Sequence, residues 1–309
     1  MGVPDTERAL GPRLDLFEST SLLTCVVHRL AVDEGVPVLF IKGEPLSQQG
    51  LRQRHDSVDV DVLVDPSALQ HLLKALAELG WKVAVEPTSA LVLPLHSTTL
   101  RHPNWGCELD VHNRFPGFLA GPADVFEALW ERRSTVQIAH REVPCPDIAT
   151  HGAVAALHWL RDGWSEATRV KLDYLVGALG PGLDGAGRLD LAEFVRRTGA
   201  AEPLRPLLDM LAIDVPAGDH DTTAWRIRTA STGVKSVGWV VELGQTPVRR
   251  LPGRLWHALV LTEAEIRNEQ PNAAPGAWGL FRARLYRLRY GLRALPEAVR
   301  IVWRERRRR

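Results

Sequence analysis

Apolar residues recur along this chain with two different periods, and the change from one to the other divides it. Residues 12–34 carry Leu14, Phe17, Leu22, Leu23, Val26, Val27 and Leu30 at helical spacing, which predicts a helix with a broad apolar face. Val36 to Ile41 is a short apolar run of strand type, ending at Lys42-Gly43-Glu44-Pro45. Val58-Asp59-Val60-Asp61-Val62-Leu63-Val64 alternates with period two and predicts a second strand. Asp65-Pro66 reads as a helix start, with Asp as cap and Pro in the first turn, for a helix through Leu69, Leu72, Leu73, Leu76 and Leu79 that stops at Gly80. Further strands are predicted at 81–85, at 90–95 and at Cys107 to His112. Beyond Pro144-Cys145-Pro146 the period becomes helical, with helices expected at 147–162, 165–180, 188–199, 201–212, 222–244 and 254–269. Gly180 to Gly187 and Pro271 to Gly279 read as loops, and no internal repeat is visible. The expected architecture is an α/β half with a small mixed sheet (1–146), followed by a mainly helical domain (147–309).

The chemistry sits on the alternating strands. Side chains of a strand point to opposite faces in turn, so Asp59 and Asp61 share one face and the valines the other. Two carboxylates that close repel each other and resist desolvation unless a cation lies between them. Hard oxygen ligands at this spacing suit Mg²⁺, which binds through one or two carboxylates together with substrate phosphates. A half-buried strand with two solvated aspartates is the plainer alternative. Cys107-Glu108-Leu109-Asp110-Val111-His112 alternates in the same way and places Glu108, Asp110 and His112 on one face. Lys42-Gly43 ends a strand where backbone N–H groups can approach a phosphate, and Lys42 adds a flexible cation there.

Strand, glycine turn, Asp-x-Asp strand and a later single-Asp strand resemble the core of the DNA-polymerase-β-type nucleotidyltransferases. The resemblance extends to a bacterial family of uncharacterised nucleotidyltransferase-like proteins. It is carried by Ile41-Lys42-Gly43, by Arg54 ahead of Asp59-Val60-Asp61-Val62-Leu63-Val64, and by Leu109-Asp110-Val111-His112. His151, His158, Trp164 and Asp173 follow in the family's order, so the likeness covers roughly residues 30–180. Two departures stand out: Glu44 and Pro45 follow the glycine where small residues are usual, and Arg54 lies one place further from the aspartates.

The resemblance implies Asp59, Asp61 and Asp110 as metal ligands and catalytic residues, with one or two Mg²⁺ ions (Mn²⁺ as substitute). Lys42, Gly43, Arg54, His112 and Lys171 are the expected nucleotide-binding residues. The implied reaction moves a nucleoside monophosphate from an NTP, ATP first among them, to the hydroxyl of an unidentified small molecule, peptide or protein. A non-catalytic nucleotide- or partner-binding module that keeps this fold is the second expectation. Several side chains have structural readings beside the functional ones. His112, His151 and His158 suit hydrogen-bonded core positions as well as a cleft, Arg169 and Lys171 suit a solvated helix face, and Asp56 and Asp65 suit turn and cap positions.

Composition changes this picture little. The 309 residues are 45% hydrophobic, as in an ordinary globular protein, and no apolar run is long enough for a membrane helix. Cys25, Cys107 and Cys145 are too few and too scattered for a disulfide framework or a zinc site, and the first residues lack the pattern of a secretion signal. A cytoplasmic protein with reduced thiols is expected. Charge adds one feature. The net charge of +1 conceals eleven arginines against Glu297 and Glu305 between Phe281 and Arg309. Leu285, Leu288, Leu292 and Leu295, with Arg between them, predict an amphipathic helix docked through its leucines and broken at Pro296. Such a basic segment suits nucleic acid, anionic lipid or an acidic partner. Nucleic-acid end modification through this tail is therefore a third expectation.

Overall fold

The computed structural model describes residues 14–54, 57–84, 93, 95–234, 236–259, 262–263, 265–266 and 273–308. The strand expected at 90–95, the reading of the first residues and the turn role of Asp56 fall mostly or wholly outside them. Helix α1 (Leu16–Asp33) begins at a capping box, in which the Glu18 N–H donates to Asp15 Oδ1 (2.7 Å) and the Asp15 N–H to Glu18 Oε2 (3.0 Å). Its buried stripe is Leu23, Val27 and Ala31 together with Thr20 and Thr24, whereas Leu14, Phe17, Leu22 and Val26 are exposed.

Among the described residues five strands form the central sheet, β1 (Val38–Ile41), β2 (Asp59–Val64), β3 (Lys82–Val83), β4 (Ser97–Arg101) and β5 (Glu108–His112), in the order β1-β2-β5-β4-β3. Of these, β2 and β5 run parallel and the other neighbours antiparallel, so the sheet is mixed, as expected. Register decides the rest. Asp59 pairs with Glu108, Asp61 with Asp110 and Leu63 with His112. In-register neighbours share a face, which puts the acidic positions of both strands together. The opposite face carries Val38, Phe40, Val60, Val62, Val64, Leu109 and Val111, and these pack with Leu23 and Val27 of α1 and with Leu72 and Leu76 of α3 (Leu69–Glu78).

Helix α3 starts later than expected. Asp65 accepts from the Ser67 N–H (2.8 Å) and hydroxyl (2.7 Å), which closes a turn before the helix instead of capping it. Between β1 and β2 lies the short α2 (Gly43–Gln48). After β5 come α4 (Pro122–Glu131) and a hairpin of β6 (Arg133–Ile138) and β7 (Arg141–Pro146), neither of which the hydropathy pattern announced.

The helical half follows with α5 (Ile148–Leu160), α6 (Glu166–Leu179), α7 (Gly185–Arg197), α8 (Arg205–Met210), α9 (Thr223–Ala230), α10 (Val237–Gln245) and α11 (Leu251–Leu259). Asp147, Ser165 and Asp184 cap α5, α6 and α7 with their side chains. The single helix expected at 222–244 is two, α9 and α10, separated at 231–236. A continuous core joins Leu39, Ile41 and Leu63 on the acidic face of the sheet to Ala153, Leu157, Leu172 and Phe194 of the helices. That face is thus apolar at one end and carboxylate-bearing at the other, and the site opens where the helical cover stops.

The final helix, Gly276–Arg306, runs through Pro296 without ending, contrary to expectation. Proline removes one ladder hydrogen bond and crowds the preceding turn. Here the turns beyond it are held by burial of Ala298, Ile301, Val302 and Glu305 against α9 and α10. The leucines do not dock either: Leu285, Leu288, Leu292 and Leu295 are all exposed, and the buried face is the one with small and β-branched residues.

Candidate active site

A cleft of about 400 Å³ opens between the end of the sheet and helices α5 and α6. Lys42, Gly43, Arg52, Ser57, Asp59 and Asp61 line one wall, and His158, Trp159, Val170, Lys171 and Tyr174 the other. Asp61 is buried (5% exposed), and the Lys42 ammonium and His112 Nε2 (2.8 Å) both bind its Oδ1. Burial alone would raise its carboxyl, but Lys42 and His112 outweigh it and hold the group far below the usual carboxylate range. Asp59 has the opposite balance. Burial, then the Asp61 charge, raise it, with Asp110 adding to the rise and Lys42 only partly offsetting it. Asp59 and Asp61 thus share the cleft with three cations, the Lys42 ammonium on Asp61, Arg52 on the same wall and Lys171 on the other.

Asp110 accepts from Thr99 Oγ1 at 2.5 Å on the neighbouring strand. Asp61, Asp110 and His112 each bring one ligand atom to within 4.8 Å of the others, forming a candidate metal cluster. Hard carboxylate oxygens gathered at one point fit a divalent cation of the Mg²⁺ type. Asp59 is not in that cluster but lies two residues away on the same face, with Ser57 Oγ at 3.3 Å from its carboxylate.

The Lys42-Gly43 turn is strained. Lys42 has φ 61° and ψ −149°, a region nearly restricted to glycine, and Gly43 follows at φ 47°. One polar chain holds this shape. Gln49 Nε2 donates to Pro146 O (2.8 Å), which fixes the amide; Gln49 Oε1 then accepts from His151 Nδ1 (2.6 Å), and His151 Nε2 accepts the Lys42 N–H (3.0 Å). This polarity requires a neutral imidazole. Burial, and secondarily the Arg52 charge, lower His151 to about 3. Burial, with Lys42 and Arg161, brings His158 to about 3 as well.

Both histidines have folded values below the unfolded 6.5, so their contribution to stability is complete above pH 6.5 and is lost as pH falls towards 3. At pH 5 each costs about 2 kcal/mol. The melting temperature is expected to fall between pH 7 and 5, with a shallower fall in His158→Gln. A pH-independent melting temperature over that interval would contradict the assignment of buried neutral imidazoles.

Of the residues expected at the site, Lys42, Gly43, Asp59, Asp61 and Lys171 meet in the cleft. Asp110 and His112 stand beside and beneath Asp61. His112 is buried against Asp61 and Phe115, not on the cleft wall, and its Nδ1 has no partner among the described residues. Arg54 lies elsewhere, in a depression with Phe17, Glu44 and Ser57. Arg52 takes the cleft position instead. Glu44, the unusual residue after the glycine, faces away from the cleft and accepts from Ser21 Oγ of α1 (2.8 Å). Gln49, Arg52, Trp159, Val170 and Tyr174 carried no sequence signal of a role. Only His151 and His158 hinted, through their two-turn spacing, that α5 addresses the site.

A mixed sheet with an Asp-x-Asp strand beside a single-Asp strand, under a helical cover, is a nucleotidyltransferase arrangement. The family model of uncharacterised nucleotidyltransferases matches residues 21–204, and the chain belongs to that family. No curated protein matches the chain significantly. Among solved structures it is similar to the antibiotic-resistance factor ANT(2'')-Ia, at 17% identity over 62% of this chain and 99% of that one, with a TM-score of 0.40. It is also similar to the lincosamide antibiotic adenylyltransferase LnuA, solved with lincomycin bound, at 19% identity over 51% and 96%, with a TM-score of 0.35. An antigenic nucleotidyltransferase-like protein from Paracoccidioides brasiliensis matches at 13% identity over 64% and 94%, with a TM-score of 0.35.

Proposed function

We propose that the cleft binds a nucleoside triphosphate and transfers its nucleoside monophosphate to a hydroxyl acceptor. The observation that carries this is the meeting of Asp59 and Asp61 with Lys42, Arg52 and Lys171 around one cleft. Carboxylates for a divalent cation and side-chain cations for phosphates are what a metal–triphosphate complex needs. Asp59, Asp61 and Asp110 would hold Mg²⁺, or Mn²⁺ in its place. When bound, the ion neutralises triphosphate charge and lowers the pKa of a coordinated hydroxyl.

The chain's own residues do the rest. Lys42 and the Gly43 backbone bind the outer phosphates, and Lys171 and Arg52 close on them from either side of the cleft. The acceptor oxygen attacks the α-phosphorus, a P–O bond forms, the bond to the β-phosphate oxygen breaks, and pyrophosphate leaves. The acceptor proton passes to the carboxylate cluster, with Asp110 as its acceptor in this reading. Positioning and charge neutralisation supply most of the rate. Trp159, Val170 and Tyr174 provide apolar surface for the base or the acceptor. ATP is the donor to try first, and the acceptor is a small hydroxylated molecule, a peptide or a protein.

The Lys42–Asp61 ion pair favours a second reading, a nucleotide-binding module in which Lys42 takes over the charge that a metal would supply. The two separate on labelled ATP incubated with a small-molecule and protein extract. Transfer supports α-label in a new compound with stoichiometric pyrophosphate. Label retained in ATP, or γ-label in the product, would overturn it.

A further inference from the structure

The final helix presents an apolar stripe to solvent. Phe281, Leu285, Leu288, Leu292, Leu295 and Val299 recur at steps of three and four, and each is between 38% and 59% exposed. Trp278 (69%) and Trp303 (56%) extend the stripe at its two ends. At 1.5 Å per residue the stripe spans about 38 Å. It lies away from the docked face, since Ala298, Ile301 and Val302 are buried against α9 and α10, and Ala283 packs with Ile266. Exposed contiguous apolar surface on this scale marks an interaction site.

Charge selects the occupant. Arg282, Arg289, Arg293 and Arg300 are exposed and, at helical spacing of seven, four and seven, form a row along one edge of the stripe. From Phe281 onward the chain has eleven arginines and two glutamates. A second copy docked on this stripe would bring one arginine row against another. A nucleic acid would satisfy the arginines and leave the leucines in water. An anionic lipid surface satisfies both: acyl chains take the leucines, headgroups take the guanidiniums, and tryptophans at either end suit the interface. Among the described residues no helix is long and apolar enough to cross a membrane, so the helix would lie on the surface.

We propose that the helix Gly276–Arg306 is an interfacial anchor that binds the protein to anionic membranes through its leucine stripe and arginine edge. The proposal is independent of the chemistry in the cleft. The test is cosedimentation of the full-length protein with vesicles of pure phosphatidylcholine and with vesicles containing 30% phosphatidylglycerol (about one lipid in three charged).

Binding is expected only to the anionic vesicles. Leu288→Glu/Leu295→Glu, both at exposed positions, should lower it more than tenfold with an unchanged circular dichroism spectrum. The triple variant Arg289→Gln/Arg293→Gln/Arg300→Gln should also lower it more than tenfold, since each arginine near an anionic surface is worth about fivefold. Three results would overturn the proposal: no binding to anionic vesicles, equal binding by the leucine variant, or a dimer in solution that the leucine variant dissolves.

Discussion

Asp59→Asn is expected to abolish nucleotidyl transfer, by about 10³-fold or more, without lowering the melting temperature. Asp61→Asn should lose as much activity and destabilise the protein as well. The contrast follows from the partners of each carboxylate. Asp61 is buried and accepts from Lys42 and His112 on one oxygen. Removing its charge breaks the direct ion pair with the Lys42 ammonium, 13% exposed, and weakens the bond from His112. Breaking a buried pair from one side costs about 3–5 kcal/mol. Burial and the charges of Asp61 and Asp110 raise the Asp59 carboxyl, and Lys42 and Ser57 offset this in part. Neutralising it relieves repulsion, so its melting temperature should stay level or rise. A side chain that costs stability and is kept for activity is the signature of a functional site. Chemical denaturation with a transfer assay on both variants checks this. Equal destabilisation with retained turnover would mean that the pair is structural.

His151→Leu is expected to reduce turnover about 100-fold while leaving the carboxylates of the cleft in place. The imidazole accepts the Lys42 N–H at 3.0 Å, and that bond holds a lysine in backbone geometry normally left to glycine. Without the acceptor, a buried N–H is left unsatisfied at a cost of about 1–3 kcal/mol. The strain at Lys42, also about 1–3 kcal/mol, then has nothing opposing its release. The turn relaxes, and Lys42 and Gly43 no longer address the phosphates together. His151→Gln puts an acceptor oxygen near the former Nε2 and should recover most of the loss. A purely structural role predicts loss of stability without a change in KM for the nucleotide. The positioning role predicts a raised KM and a lowered kcat at temperatures where both variants are folded.

The strands that carry the chemistry were legible because alternation leaves few alternatives. In Val58 to Val64 and Cys107 to His112 the alternation fixes which face carries the carboxylates, and the observed pairing sets Asp61 beside Asp110 on it. The β6–β7 hairpin was not legible, since its turn uses Ala139 (φ 45°) and His140 (φ 62°) instead of the Asn-Gly that signals such turns. Arg54 and Arg52 show a similar limit. Two arginines two residues apart carry equal charge, and the loop's path, not composition, decides which one enters the cleft. Gln49 was invisible because its role depends on meeting Pro146 and His151 in space. The leucines of the final helix misled for a physical reason. Helical periodicity identifies an apolar face but not what covers it, and this helix has two faces that exclude water differently.

The measurement closest to the central claim is the thermal shift of wild type and Asp59→Asn with each NTP, with and without Mg²⁺. A nucleotide at about 100 times its dissociation constant should stabilise the protein by about 2.7 kcal/mol. The expected result is a shift of a few degrees that needs both NTP and Mg²⁺ and vanishes in Asp59→Asn. A shift of the same size without Mg²⁺, or in the variant, would contradict a metal–nucleotide site at Asp59 and Asp61.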